Sequence, residues 1–462
     1  MTPPDARAAN RPNMDDPLFD PAQTPGSMTG QVCAVVLDRP FGLWWRVSLT
    51  VALLLLLALI IAIVWLFIAG IGVWGVDWPV MWGFAIINYV WWIAIASGGT
   101  FISALFYLAG VEWRNALNRL AETMTVLAVA CAGVFPILHL GRPWLFYWLF
   151  PYPNTMTLWP QFRSPLLWDF FAILAYVISS VLFWYFGLIP DFATLRDRAE
   201  ARRSRLFYGV LAAGFRGGGA QWRHYRAGYG LLAAIMAPLV ISVHSIVGLD
   251  FAGAATVGWH STQFPPFFVF GALLSGFAMV LLLAAPLRRL LGFEDFITGR
   301  HFDVLCKLLL VSSLCVGYSY IMEAFMTFYG GEAADRLSFI DKISGRQAPI
   351  YWATILLNVA LPQLFWSRRA RLNEAVIGIV SIGVIIGMWC ERYQIVVMSL
   401  RRPRLPSAWG EFAPTLWDNL TLFGTVGLFL AGLLIALRLV PMISMFEMRE
   451  VMTQRGGQED GL

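Results

Sequence analysis

Two ionisable residues bracket the most informative stretch of this sequence. His139 closes one long apolar run, and Asp169 lies five residues into the next. At ~1.5 Å per helical residue, Asp169 would sit about 7–8 Å below the end of its helix. Consecutive antiparallel helices are usually neighbours, so the two side chains are expected to meet near one face of the molecule. Neutral imidazole, with an ordinary pKa of about 6.5, accepts a proton at physiological pH. A carboxylate beside it orients the ring, favours the imidazolium and passes the proton on. Such a pair suits a substrate whose hydroxyl loses a proton as its electron leaves, as a quinol's does. The bland alternative is a structural pair that staples two helices.

Other ionisable residues inside apolar runs are few, and each is costly enough to be a functional candidate. Asp250 ends a later run on the same side as His139 and is expected to line the same pocket. Glu323, Glu391 and Arg392 fall in the same-side halves of two further runs and could form a proton route; adjacent on a helix, Glu391 and Arg392 are each expected to find a different partner. Glu122 and Lys307 lie near opposite-side helix ends, where snorkelling suffices. Between His139 and Asp169 runs GRPWLFYWLFPYPNTMTLWPQFR, with eight aromatics from Trp144 to Phe162. Its prolines break any long helix. This segment could be an interfacial belt or could roof a pocket for a flat ligand with an apolar tail, with Arg142, Trp144 and Tyr152 as binding residues. His244 is a second intramembrane histidine, but bis-histidine haem ligation is not expected. Cys33, Cys131, Cys306, Cys315 and Cys390 are isolated, without metal-ligand spacing. Neither a metal nor an iron–sulfur cluster is expected on this chain.

The elements that must position these groups follow from composition. The 462 residues are 58% hydrophobic and 13% charged, against about 25% charged in soluble domains. Spans of about 20 apolar residues are needed to cross a bilayer. They fall at 49–74, 80–110, 119–140, 164–190, 229–252, 264–287, 303–328, 349–367, 373–399 and 415–440. The expected fold is thus an all-α integral membrane domain of about ten helices over 49–440. Residues 1–48 and 441–462 are read as tails, the first with a loosely ordered end near Arg39-Pro40 and no cleavable signal peptide. Residues 191–228 are read as a solvated or headgroup-facing basic connection. Sixteen Lys/Arg fall in the connections on the side of the tails and eight on the other. This bias places both termini in the cytoplasm. The net charge of +5 is spread over short loops, which is no nucleic-acid signature. Gly98-Gly99 is read as a site of close helix packing.

Three blocks carry a resemblance: WGFAIINYVWWIAIASGGTFISAL, then NRLAETMTVLAVACAGVFPILHLGRPWLFYWLFPYPNTMTLWPQFRSPLLWDFFAI, then PLVISVHSIVGLDFA. With GMWCERYQIVV further on, the sequence resembles the NrfD/polysulfide-reductase membrane-subunit family, most closely the C subunits of Alternative Complex III. The resemblance covers nearly all of the apolar part, and the HLGRPW…WPQFRSPL.WD block is its most specific portion. It implies two side-by-side four-helix bundles plus two peripheral helices, in a bacterial inner membrane. It implies a quinol site (ubiquinol or menaquinol) on the periplasmic side, with His139 and Asp169 in the quinol-reacting positions and Asp250 nearby. Implied partners are an iron–sulfur subunit, haem c subunits, a second NrfD-like membrane subunit, small membrane subunits and a terminal oxidase; proton translocation is a further implied activity. One departure stands out. Many relatives carry a His in a GHAGT-like stretch, where this sequence has Ala96-Ser97-Gly98-Gly99-Thr100.

Three rival readings carry their own signatures. A membrane anchor of a molybdenum reductase of the polysulfide or thiosulfate type would share the family and differ in its partners. A transporter would move solute without partners. A purely structural anchor would bind no quinone.

Overall fold

The computed structural model describes residues 17–40, 42–150 and 159–459. Ten helices are long and apolar enough to cross a membrane, and no strand forms among the described residues. Shorter helices precede and follow them. In chain order the helices are α1 (Pro25–Leu37), α2 (Leu43–Ala69), α3 (Phe84–Leu108), α4 (Asn118–His139), α5 (Pro165–Arg198), α6 (Arg202–Leu211), α7 (Gly219–Ala252), α8 (Phe264–Leu291), α9 (Gly299–Gly330), α10 (Ala333–Ser344), α11 (Ala348–Trp366), α12 (Glu374–Met398), α13 (Leu416–Leu439) and α14 (Met445–Glu459). α3, α4, α5 and α7 pack as one four-helix bundle, and α8, α9, α11 and α12 as a second. α2 and α13 pair at the periphery. The face carrying α1 and α14 is called the terminal face below, and the opposite one the loop face.

α3 sits where the two bundles meet, and nearly every residue from Phe84 to Thr100 is buried. Apolar surface alone does not hold helices together in lipid; close packing and hydrogen bonds do. α3 supplies both. A Cβ on Gly98 would come within 2.2 Å of the Gly276 backbone on α8, and one on Gly99 within 2.3 Å of Thr125 Oγ1 on α4. The glycine pair therefore lets α3 touch a helix on each side. Nearer the loop face the paired tryptophans diverge: Trp91 Nε1 donates to Ile385 O of α12 at 3.0 Å, and Trp92 Nε1 to Thr425 Oγ1 of α13 at 3.0 Å. The α11 span, the shortest, forms over 348–366 and includes a π-helical turn at Leu356–Ala360.

Both tails depart from expectation. α2 starts at Leu43, six residues earlier than hydropathy suggested, and α1 forms within the supposed tail. A capping box starts α1: Ser27 N donates to Thr24 Oγ1 at 3.1 Å, and Thr24 N to Ser27 Oγ at 2.9 Å. Its Met28, Val32 and Cys33 are buried, and Cys33 Sγ lies 3.6 Å from Met445 Sδ of α14. Short helices of this kind carry too few apolar residues to stand out beside membrane spans. The basic connection is also less open than expected. α5 continues to Arg198, α6 follows, and Asp191 is fully buried. Arg202, Arg203, Arg216 and Arg223 are exposed, as the sequence suggested.

Candidate functional site

At the loop face of the first bundle, α3, α5 and α7 bring three oxygen-bearing side chains together. Tyr89 lies six residues into α3 and Asp169 five into α5, so antiparallel packing puts them at similar depth. Tyr89 OH donates to Asp169 Oδ2 at 2.6 Å, and both residues are buried. Asp250, three residues from the end of α7, is near enough for its charge to act on Asp169. Asp169 Oδ1 and Asp250 Oδ1 are buried and have no hydrogen-bond partner. A buried carboxylate oxygen without a partner is costly. Two in one place offer docking points for a ligand bearing hydroxyls.

An aromatic wall stands above them. Trp82, just before α3, packs on Phe251 at 6.0 Å and Trp259 at 5.5 Å between ring centroids. His139 meets the same Trp82 edge-on at 6.4 Å. His139 and Asp169 thus share the loop-face end of one bundle, but no hydrogen bond or ion pair joins them. The expected direct meeting is replaced by Tyr89 on the acid and Trp82 on the imidazole. Helix neighbourhood and depth were right; the rotation of each side chain about its helix was not readable.

The loop residues stand apart. Arg142 and Trp144 are exposed beside a 3₁₀ segment at Pro143–Leu149, and Tyr152 lies outside the described residues. Phe150 anchors this segment on Phe170 and Phe171 of α5. In the second bundle, Glu391 and Arg392 bind each other at 2.5 Å, contrary to the expectation of separate partners. Two long side chains can curl toward one another across a single helix position. Glu391 also accepts from Tyr320, and Arg392 lies over the Phe268 ring at 4.4 Å. Glu323 instead takes Lys342 at 3.2 Å.

A second polar assembly escaped sequence reading. Ser97, in the stretch that departs from the GHAGT-like pattern, lies 3.0 Å from His244 Nδ1 on α7. His244 Nε2 has no partner. One turn on, Thr100 Oγ1 meets Tyr176 OH at 2.6 Å. Near the terminal face, Arg119 binds Glu122 at 2.6 Å and Asp191 at 3.0 Å, all fully or almost fully buried. Tyr229 OH donates to Glu122 Oε1 at 2.7 Å, and Asn118 Nδ2 donates to Tyr229 OH at 3.1 Å and Glu447 Oε2 at 2.9 Å. Arg114 pairs with Glu447. Glu122 is therefore an interior ion-pair partner, not a snorkelling end residue. Only the ionisable residues within apolar runs hinted at this cluster; Glu447 sits in what read as a polar tail.

The chain matches the family described as Polysulphide reductase, NrfD over residues 72–403, most of its length. It belongs to the NrfD family. Two relatives of this NrfD chain carry the names of redox membrane proteins. One is the C subunit of selenate reductase from Mesobacillus selenatarsenatis, 22% identical over 387 residues, covering 79% of this chain and 86% of that protein. The other is a putative C-type membrane subunit of dimethyl sulfoxide reductase from Halobacterium salinarum, 28% identical over 214 residues, 46% of this chain and 45% of that protein. The matched NrfD region contains Tyr89, His139, Asp169, Asp250, Glu323, Glu391 and Arg392.

Proposed function

We propose that this chain is the quinol-oxidising membrane subunit of a multi-subunit redox complex. The observation that carries the reading is the pair of unpartnered carboxylate oxygens, on Asp169 and Asp250, beneath an aromatic wall. A quinol supplies two hydroxyls on a flat ring, which matches two acceptors next to Trp82 and Phe251, and an apolar tail suited to lipid. When bound, the quinol provides two electrons and two protons. Asp169 Oδ1 accepts the hydroxyl's hydrogen, while Tyr89 fixes Oδ2 and so aims the carboxylate. Asp250 serves the second hydroxyl. His139, beside Trp82 at the helix end, is the next proton acceptor toward the loop face. Electrons pass to an iron–sulfur partner docked on that face, and the protons are released there.

Two kinds of complex fit this chemistry. The sequence resemblance favours Alternative Complex III, with haem c subunits and a second NrfD-like subunit. The names of the two relatives favour a reductase with a molybdenum catalytic subunit. The composition of the purified complex decides between them: a multihaem cytochrome supports the first, a molybdenum protein the second. Proton translocation belongs to the same proposal, with Glu323, Glu391 and Arg392 as a candidate route; turnover in sealed vesicles without proton uptake from the cytoplasm rejects that part.

The direct test is quinol oxidation by assembled complexes carrying His139→Ala or Asp169→Asn. Slowed turnover with normal assembly is expected for both. Wild-type rates in both variants reject the site.

A further inference from the structure

We propose that His260, Glu332 and Asp335 form a divalent-cation site of the zinc type on the loop face. The residues come from the α7–α8 connection and the start of α10, so the ion would tie the first bundle to the second. His260 Nε2 lies 3.6 Å from Glu332 Oε2 and 3.5 Å from Asp335 Oδ2, and the three ligand atoms all fall within 4.8 Å of one another. Around a tetrahedral zinc ion, bonds of about 2.0–2.1 Å set neighbouring ligand atoms roughly 3.3–3.4 Å apart. The observed edges need only a small contraction.

The outer atoms of the trio support the same reading. His260 Nδ1 lies 3.2 Å from Thr256 O, to which it donates, so the lone pair is on Nε2, facing the carboxylates. Asp335 Oδ1 accepts from Gly258 N at 2.9 Å, leaving Oδ2 for the centre. Glu332 Oε1 binds Arg404 at 2.9 Å, leaving Oε2. Each ligand is thus oriented by a group outside the trio, the arrangement by which metal ligands are usually held. Three acceptor atoms converge on one point, and a positive species between them relieves their repulsion. His260 and Glu332 remain about two-fifths exposed, so water can fill a fourth position, and an ion can enter from the aqueous side.

The site is linked to the aromatic wall. Trp259, the residue before His260, is buried, donates to Ile395 O at 2.6 Å and packs on Trp82. A bound ion would fix the loop that carries this ring. Cation binding at the trio is independent of quinol chemistry and is read out as metal content.

The test uses the full chain, purified with its associated subunits, stripped with a chelator, reloaded with zinc chloride and desalted. Wild type is expected to retain one more zinc per chain than His260→Ala or Glu332→Gln. The affinity loss should exceed the about 10–100-fold typical of removing only an outer-sphere partner. Cobalt substitution should give the visible bands of a tetrahedral ion in wild type alone. Glu332→Gln preserves side-chain shape, so it answers if His260→Ala fails to assemble. Equal zinc in wild type and variants overturns the proposal. So does a wild type that retains none, which would make the trio a protonated imidazole between two carboxylates.

Discussion

Asp169 divides its two oxygens between structure and chemistry. One is held by Tyr89, and the other is free. Asp169→Asn keeps the shape and removes the proton acceptor. Positioned acid–base groups contribute about 10²–10⁴-fold, so kcat for quinol oxidation should fall by that order while KM changes little. Tyr89→Phe leaves Asp169 in place but unaimed, and should lower kcat by less; steady-state assays on purified complexes would rank the two. An Asp169→Asn complex turning over at the Tyr89→Phe rate or faster argues against the assigned roles. Asp169 and Asp250 were legible because charge within an apolar run stands out. Tyr89 was not, being one of 14 tyrosines and joined to its partner across 80 positions. His139 was legible in depth but not in direction, because a side chain's heading depends on helix rotation, which the spacing of apolar residues in a helix buried nearly all round leaves open.

At the scale of elements, the fold depends on contacts between helices distant in the sequence. Ten spans could be read because each is a long apolar run, and Gly98-Gly99 could be read as a packing site. That Gly98 faces Gly276 of α8 while Gly99 faces α4 required the assembled bundles. Gly98→Ala would drive a methyl into backbone, where side-chain adjustment gives no relief. Overpacking costs about 1–3 kcal/mol or more, so a lower melting temperature in detergent and reduced yield are expected; unchanged values would show that the bundles do not meet there. α1 and α14 were missed because their stabilising groups lie in other elements. Burial would raise the Glu447 carboxyl, but Arg114 and Arg119 outweigh it and hold Glu447 below its ordinary value of 4.5. A depressed acid contributes stability that is present above its unfolded value and lost as pH falls through its folded one. Docking of α14 should therefore be constant from neutral pH down to about 4.5 and weaken below. Glu447→Gln would leave Arg114 buried without its counter-charge, at about 3–5 kcal/mol. Cys33 reports on this: burial pushes its thiol up to about 11, and it touches Met445. It should resist alkylation at pH 8 in wild type and react in Glu447→Gln. Equal resistance in both would show that the ion pair does not hold α14.

At the scale of the molecule, the direction of the chemistry depends on which face meets the cytoplasm. The candidate site and the cation site share the loop face, while α1, α14 and the Arg119 cluster share the terminal face. Sixteen Lys/Arg lie in connections on the terminal side and eight on the other. The fold sharpens this bias. On the loop face Arg401 and Arg402 bind Asp341 and Glu411, and Arg404 binds Glu332. On the terminal face Arg202, Arg203, Arg216 and Arg223 are exposed. Exposed lysine and arginine near spans favour the cytoplasmic side. A fluorescent protein fused after α14 should therefore fold and fluoresce, and alkaline phosphatase fused there should be inactive. Phosphatase inserted within 159–163, next to the aromatic segment, should be active. The opposite pattern would turn Asp169 toward the cytoplasm. Oxidation there would release protons on the inner side, and the proposed outward release would fail even if every residue-level role survived.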